Sequence, residues 1–452
     1  MIKFTQPAVA GGLAACVIAA AAMAAGTAPG SASHPEARAS GTTAFADSST
    51  AGPAAISFFS QVAQPSQATV DQSCLQYPAT CYTPKSFLTA YGIQALHNHG
   101  IDGRGETIVV PEVAEQPESQ FTDIRQDLAT FDGLYGFPAP KLNVITTLGG
   151  ASAPYLAGFE EIEDVEILHA VAPEATIDVV LVPDSAGDSP ASIVTALTDF
   201  MQLAVSRANV LSISASVGEH YLTTAESAQL NTALQSAADH HVTVVASSGD
   251  TGATSDQDFP TAPVKEVSMP ASDPLVLAAG GTSLAVNPAT GAYSAEIAWS
   301  TSGGGFSHLF TRPAYQDGVS GMTATRGVPD VASDADSNTG MAVAVASSAT
   351  EYSLYSTGGT SAATPLWAGV IALADQYAGR SLGFVNPAIY RIGHSPQGRT
   401  AFHDVTAGDN SIVVVPSLIT GYRAAPGWDP VTGWGSPDAQ VLVPLLARDI
   451  QP

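Results

Sequence analysis

Six short apolar runs, at 107–110, 142–147, 177–182, 210–214, 242–246 and 275–279, recur along this chain. Stretches of helical character, at 161–170, 193–207, 225–240 and 361–377, alternate with them. Continuous runs of Val and Ile suit strands buried on both faces, and strands alternating with helices build a parallel sheet covered on both sides. The expected fold is α/β, with one domain over residues 81–450, large for a single core but reasonable for this architecture.

The stretch Gly358-Gly359-Thr360-Ser361-Ala362-Ala363-Thr364-Pro365 has the form of a nucleophilic serine where a Gly-rich turn enters a helix. Glycines let the backbone approach a substrate closely, and Ser361 would sit where free helix N–H groups point outward. Pro365 is read as a first-turn residue, where a missing N–H costs nothing. A serine there needs a base. The upstream helix carries Glu160 and Asp164, four apart and so on one face. Like charges at that spacing repel, which makes sense if the pair shares a proton. Asp250, in Ser248-Gly249-Asp250-Thr251-Gly252, lies just past the end of an apolar strand, where sites gather in parallel sheets.

Together, Glu-x-x-x-Asp, Ser-Gly-Asp-x-Gly and Gly-Thr-Ser-Ala-x-x-Pro resemble the sedolisin family, the serine-carboxyl peptidases of subtilisin-like fold. More of the pattern follows in order: Trp299 with Ser302-Gly303-Gly304-Gly305-Phe306-Ser307, then Pro313-Ala314-Tyr315-Gln316, then Arg326-Gly327-Val328-Pro329-Asp330-Val331-Ala332. The resemblance implies Ser361 as nucleophile, Glu160 as general base and then acid, Asp164 as the carboxyl orienting Glu160, and Asp250 as the oxyanion-stabilising residue. Glu112 matches a further family glutamate that extends the carboxyl network. Asp404, Val405, Ala425, Gly427 and Asp429 match the family's calcium loop, with Ala425 where glycine is usual. Two carboxylates and backbone carbonyls are hard oxygen donors, suited to one structural Ca²⁺ and unsuited to zinc. Ala215 stands where some relatives place a tryptophan beside the carboxyl network.

A carboxyl donates a hydrogen bond to an oxyanion only when protonated. An aspartate of ordinary pKa is about half protonated at pH 4 and roughly 0.1 % protonated at pH 7. The implied site therefore calls for an acid optimum, and composition fits. The chain holds 41 Asp+Glu against 15 Lys+Arg, a formal net charge of −26, with 10 His. An average chain of this length would carry roughly 50 Lys+Arg, so this one builds little positive self-repulsion in acid. The same charge disfavours nucleic acid and anionic membranes as partners. Protein or peptide substrates are expected, with the chain a monomer.

Residues 1–26 read as an export signal: Lys3, then an apolar Ala-rich run from Pro7 to Ala25 and small residues after it, the boundary falling as late as about 34. Leu13-Ala14-Ala15-Cys16 resembles a lipoprotein box, but the apolar run continues well beyond Cys16. Secretion of a mature form without a membrane anchor is expected. Cys74 and Cys81 remain as an even pair bracketing a short loop, a plausible disulfide in an oxidising compartment. Residues 27–80, rich in Ala, Ser, Thr, Gly and Pro, read as low-complexity, and are too short for the folded prodomain that the resemblance implies.

Two other functions compete. One is a His-dependent serine hydrolase using His169 or His241, working near neutral pH. His169 lies about 140° around the helix from Asp164 and reads as structural. The other is a non-catalytic secreted binding protein keeping the peptidase fold.

Overall fold

The computed structural model describes residues 55–57, 81–113, 122–146, 157–182, 189–255, 264–346, 352–414 and 417–450. The export signal, the lipoprotein-like box and Cys74 lie outside the described residues, so only Cys81 of the expected disulfide is seen, and it is buried.

An eight-stranded sheet organises the chain. In sequence order its elements are β1 (Thr107–Val113), α1 (Ile124–Tyr135), β2 (Lys141–Thr146), α2 (Phe159–Val171), β3 (Thr176–Val182), α3 (Pro190–Ala204) and β4 (Val210–Ile213). There follow α4 (Thr224–Asp239), β5 (Thr243–Ser247), β6 (Leu277–Val286), β7 (Tyr293–Ala298) and β8 (Val331–Asp334). The spatial order is β7-β6-β5-β4-β1-β3-β2, with β8 also paired to β6. All pairings are parallel except β7 on β6, an antiparallel edge that the apolar runs do not announce. A smaller antiparallel sheet joins Ala55–Ser57, β10 (Tyr352–Ser356) and β9 (Ala342–Ala346).

Alternate strand residues sort to opposite faces, as a two-residue period demands. Ile108, Val110, Val179 and Val245 enter one core with α1, α2, α5 (Gly359–Ala378) and α6 (Ala439–Asp449). Val109, Val180, Leu211 and Val244 enter the other with α3 and α4. Burial on both faces explains why the strands read as continuous apolar runs. Helices α2 and α5 pack closely on the first face, because a Cβ at Gly369 would stand 2.4 Å from Val171. No described helix is long and apolar enough to cross a membrane.

Candidate active site

Two helix N-termini and three strand ends meet at one edge of the sheet. Glu112 lies in β1, Ser214 follows β4 and Asp250 follows β5; Glu160 and Ser361 stand in the first turns of α2 and α5. This is the carboxyl edge of the parallel strands, where α/β sheets bind their ligands.

The serine turn is built by backbone hydrogen bonds. Gly359 has φ +77°, and a Cβ there would stand 2.6 Å from Asp250 Oδ2, so the turn can lie against that carboxyl only as glycine. The Gly358 N–H donates to Glu163, the Gly359 N–H to the Ala335 carbonyl at 2.8 Å, and the Thr360 N–H to Asp250 Oδ1 at 2.7 Å. The Thr360 hydroxyl donates to the same Oδ1 at 2.8 Å and accepts from the Gly249 N–H at 3.1 Å. Among the described residues the next amide, that of Ser361, has no acceptor, which leaves it available to a ligand.

The Ser361 hydroxyl faces the Glu160 carboxyl and interacts with it. Burial pushes that carboxyl up, the serine hydroxyl pulls it back, and the charge of Asp250 pushes it up again. Asp164 is fully buried and raised well above the carboxylate range, first by burial and then by Glu160. The Ser214 hydroxyl donates to Asp164 Oδ1 at 3.0 Å. Glu112, also buried and raised by burial, hydrogen-bonds Asp164. Among the described residues no donor reaches Asp164 Oδ2 or Glu112 Oε1, which suits a proton shared by the two carboxyls.

The acids of α2 are therefore not a solvated face: Glu161, Glu163, Asp164 and Glu166 are all at most 5 % exposed. Ala215, where an aromatic was absent, is buried beside Ser214. The first-turn reading of Pro365 needs correction. The helix begins at Gly359, which puts Pro365 at its seventh residue, inside the hydrogen-bonded body. Its missing N–H would have bonded the Ser361 carbonyl four residues back. That carbonyl instead accepts the Ser214 hydroxyl at 3.4 Å.

His169 is buried and spends Nε2 on Asp132 Oδ1, at 2.9 Å, and on the Pro138 carbonyl, at 3.0 Å. His241 sits at φ +58° in the turn before β5, beside Gly383. The serine thus meets a carboxyl, and His169 is committed to partners elsewhere. Glu163 and Thr360 escaped the sequence reading. The first looks like one more acid on a polar helix, and the second is a bystander until Asp250 is seen against it.

Asp404 and Asp429 both brace the 425–427 turn. Both Asp404 oxygens accept the Gly427 N–H, at 3.1 and 3.0 Å, while Asp429 accepts from the amides of Ala425, Val431 and Thr432. Two carboxylates thus hold the ends of the 425–427 turn, and among the described residues neither forms an ion pair. The donor set is all oxygen, which suits Ca²⁺.

A parallel α/β sheet carrying a serine and its carboxyl partner at two helix N-termini defines the subtilisin-like class. Residues 152–386 match the subtilase family. Kumamolisin from Bacillus sp. (strain MN-32) is 33% identical over 391 residues, covering 82% of this chain and 65% of that protein. Sedolisin from Pseudomonas sp. (strain 101) is 36% identical over 210 residues, 43% of this chain and 33% of that one. Human tripeptidyl-peptidase 1 is 30% identical over 367 residues, 73% and 58% respectively. The solved structure of Pseudomonas sedolisin, a serine-carboxyl proteinase complexed with pseudo-iodotyrostatin, superposes with TM-score 0.67 at 27% identity, covering 81% of this chain and 98% of that one. The chain belongs to the subtilase family and, within it, to the sedolisins. It spans less than two thirds of the length of each of the three relatives named.

Proposed function

We propose that this chain is a secreted, acid-active serine-carboxyl endopeptidase, working as a monomer on protein or peptide substrates and holding one structural Ca²⁺. The observation that carries the reading is the Ser361 hydroxyl set against the partly buried Glu160 carboxyl at the meeting of two helix N-termini. In the proposed reaction Ser361 Oγ attacks the scissile carbonyl while Glu160 takes its proton, and Asp164 holds Glu160 in place. The tetrahedral oxyanion lies between the Ser361 N–H and the Asp250 carboxyl. With Asp250 Oδ1 already accepting two hydrogen bonds, Oδ2 is the oxygen to carry the donated proton. Glu160 then protonates the leaving amine, and water, activated by the same carboxyl, releases the acyl group.

The test is cleavage of a denatured protein from pH 2 to 8. Activity peaking below about pH 5 is expected, since Asp250 must be protonated. A peak near pH 7 would favour a histidine base, and a folded sample inactive at every pH would favour a non-catalytic binding protein.

Asp250→Ala should lower kcat by about 10²–10³, the usual loss for one oxyanion donor. Asp250→Asn keeps an acceptor for Thr360 and a donor at any pH, so its kcat should fall less steeply than the parent's between pH 5 and 7. An equally steep fall would remove Asp250 from the oxyanion role.

Asp404 and Asp429, with the carbonyls of Val405, Ala425 and Gly427, are the residues that would hold Ca²⁺, which supplies charge neutralisation for the loop and no step of the reaction. A chelator at pH 6 should lower Tm by on the order of 5 °C, for about 3 kcal/mol of linked binding, and added Ca²⁺ should restore it. A Tm indifferent to both would dismiss the site.

A further inference from the structure

Glu163 is used by none of the steps above, yet it is 1 % exposed and lies between the base and its orienting acid in sequence. Both of its carboxyl oxygens stand 3.2 Å from the N–H of Gly358, the residue that caps the nucleophile helix. Helix α2 therefore meets the start of α5 at two points: Glu160 faces the Ser361 hydroxyl, and Glu163 holds the backbone three residues earlier. From the other side Asp250 holds the Thr360 amide. Gly358 and Gly359 have no side chains to resist a shift, so these acceptors, with the Ala335 carbonyl that takes the Gly359 amide, fix the path of the turn. The charges facing Glu163 are Glu160 and Asp164 on its own helix and Asp250 from the turn after β5, and burial together with these keeps its carboxyl well above the usual range. Among the described residues it forms no ion pair, so a role as half of a stabilising salt bridge is closed to it.

We propose that Glu163 is a positioning residue, whose hydrogen bond to the Gly358 amide sets where Ser361 Oγ and the Ser361 N–H lie relative to the reacting carbonyl. The proposal rests on the reading of Ser361 as nucleophile. A displacement of about 1 Å at a reacting group costs on the order of 10²-fold in rate without weakening substrate binding.

The test compares the full chain with Glu163→Gln and Glu163→Leu, and with Glu163→Ser in case leucine does not fit. Glutamine presents an amide oxygen to Gly358, so kcat should stay within about threefold of the parent. Leucine, or serine, whose hydroxyl falls short of Gly358, should lower kcat by about 10²-fold with KM within about twofold. The leucine variant should keep its Tm within about 5 °C, since the lost acceptor for one partly exposed amide, about 1–3 kcal/mol, is offset by removing a buried acid that three neighbouring carboxyls repel. A purely structural role would instead lower Tm along with kcat. Hydrogen exchange of the 357–361 amides gives a readout independent of catalysis: exchange should rise at least about tenfold in the leucine or serine variant and stay unchanged in the glutamine variant. Parental kcat in either folded leucine or serine variant, or unchanged exchange there, overturns the proposal. If the parent itself cleaves nothing, the peptidase reading falls, while the exchange result still judges the Glu163 contact.

Discussion

Alanine at position 361 is expected to lower kcat/KM for a peptide at pH 4 by on the order of 10⁵, with Tm within about 2 °C of the parent. Ser361 is 5 % exposed, and its hydroxyl faces the Glu160 carboxyl. Removing it deletes one oxygen at the mouth of the site and disturbs no strand or core contact. Glu160→Gln should cost a similar factor, because glutamine cannot take the proton. The double variant should be little worse than either single one, since groups that act as one unit do not contribute additively. Full activity in Ser361→Ala at pH 4 would refute the mechanism. A loss that came with a lowered Tm would show only damage to the fold.

Thermal stability should peak in acid and fall toward neutral pH, by on the order of 10 °C between pH 4.5 and pH 8. The cause is a set of buried carboxyls spread beyond the site. Glu296, which accepts hydrogen bonds from Tyr91 at 2.8 Å, Thr282 at 2.7 Å and the Ser436 hydroxyl, is pushed up by burial to about 7. Asp127, accepting from Thr122 and the Ala346 amide, is pushed by burial to about 6. Glu166, Asp334 and Asp375 are raised further by the same cause. A carboxyl whose folded pKa exceeds its unfolded one binds more protons in the folded state. Its contribution is complete below about pH 4 and is lost as pH rises through the folded value. For Glu296 and Asp127 that loss is about 3 kcal/mol each, from about 1.4 kcal/mol for every pH unit separating the folded value from the unfolded one. Tm measured from pH 3 to 8 checks this, and a maximum at or above pH 7 would contradict it. Glu296→Gln should flatten the descent between pH 5 and 7.

Much of this was legible in one dimension. The apolar runs at 107–110 and 242–246 fell within or across β1 and β5, because strands buried on both faces need no polar alternation. The Glu160–Asp164 spacing and the Gly-rich turn before Ser361 also pointed to groups that the fold brings together. What stayed hidden depended on partners far along the chain. Glu166 is spent on the Ala344 amide and Glu163 on Gly358, so an acid-rich helix that reads as polar is in fact enclosed. Strand order was equally hidden, since β1 sits between β3 and β4 for reasons of packing that no local pattern carries. Pro365 misled because a proline near a helix start is usually a first-turn residue, whereas here Ser214 compensates for the missing amide.

The meeting of two helix starts has an electrostatic consequence. Glu160 is the second residue of α2 and touches the third residue of α5, so it lies in the positive field of both helix macrodipoles. Asp164 lies about one turn deeper in α2, where the field of its own helix has fallen away. When the crowded carboxyls can hold only one negative charge between them, that field directs it to Glu160, the oxygen nearest the serine proton. The axes of two helices, set by core packing and by Gly369 against Val171, thus favour Glu160 over Asp164 for the role of base proposed above.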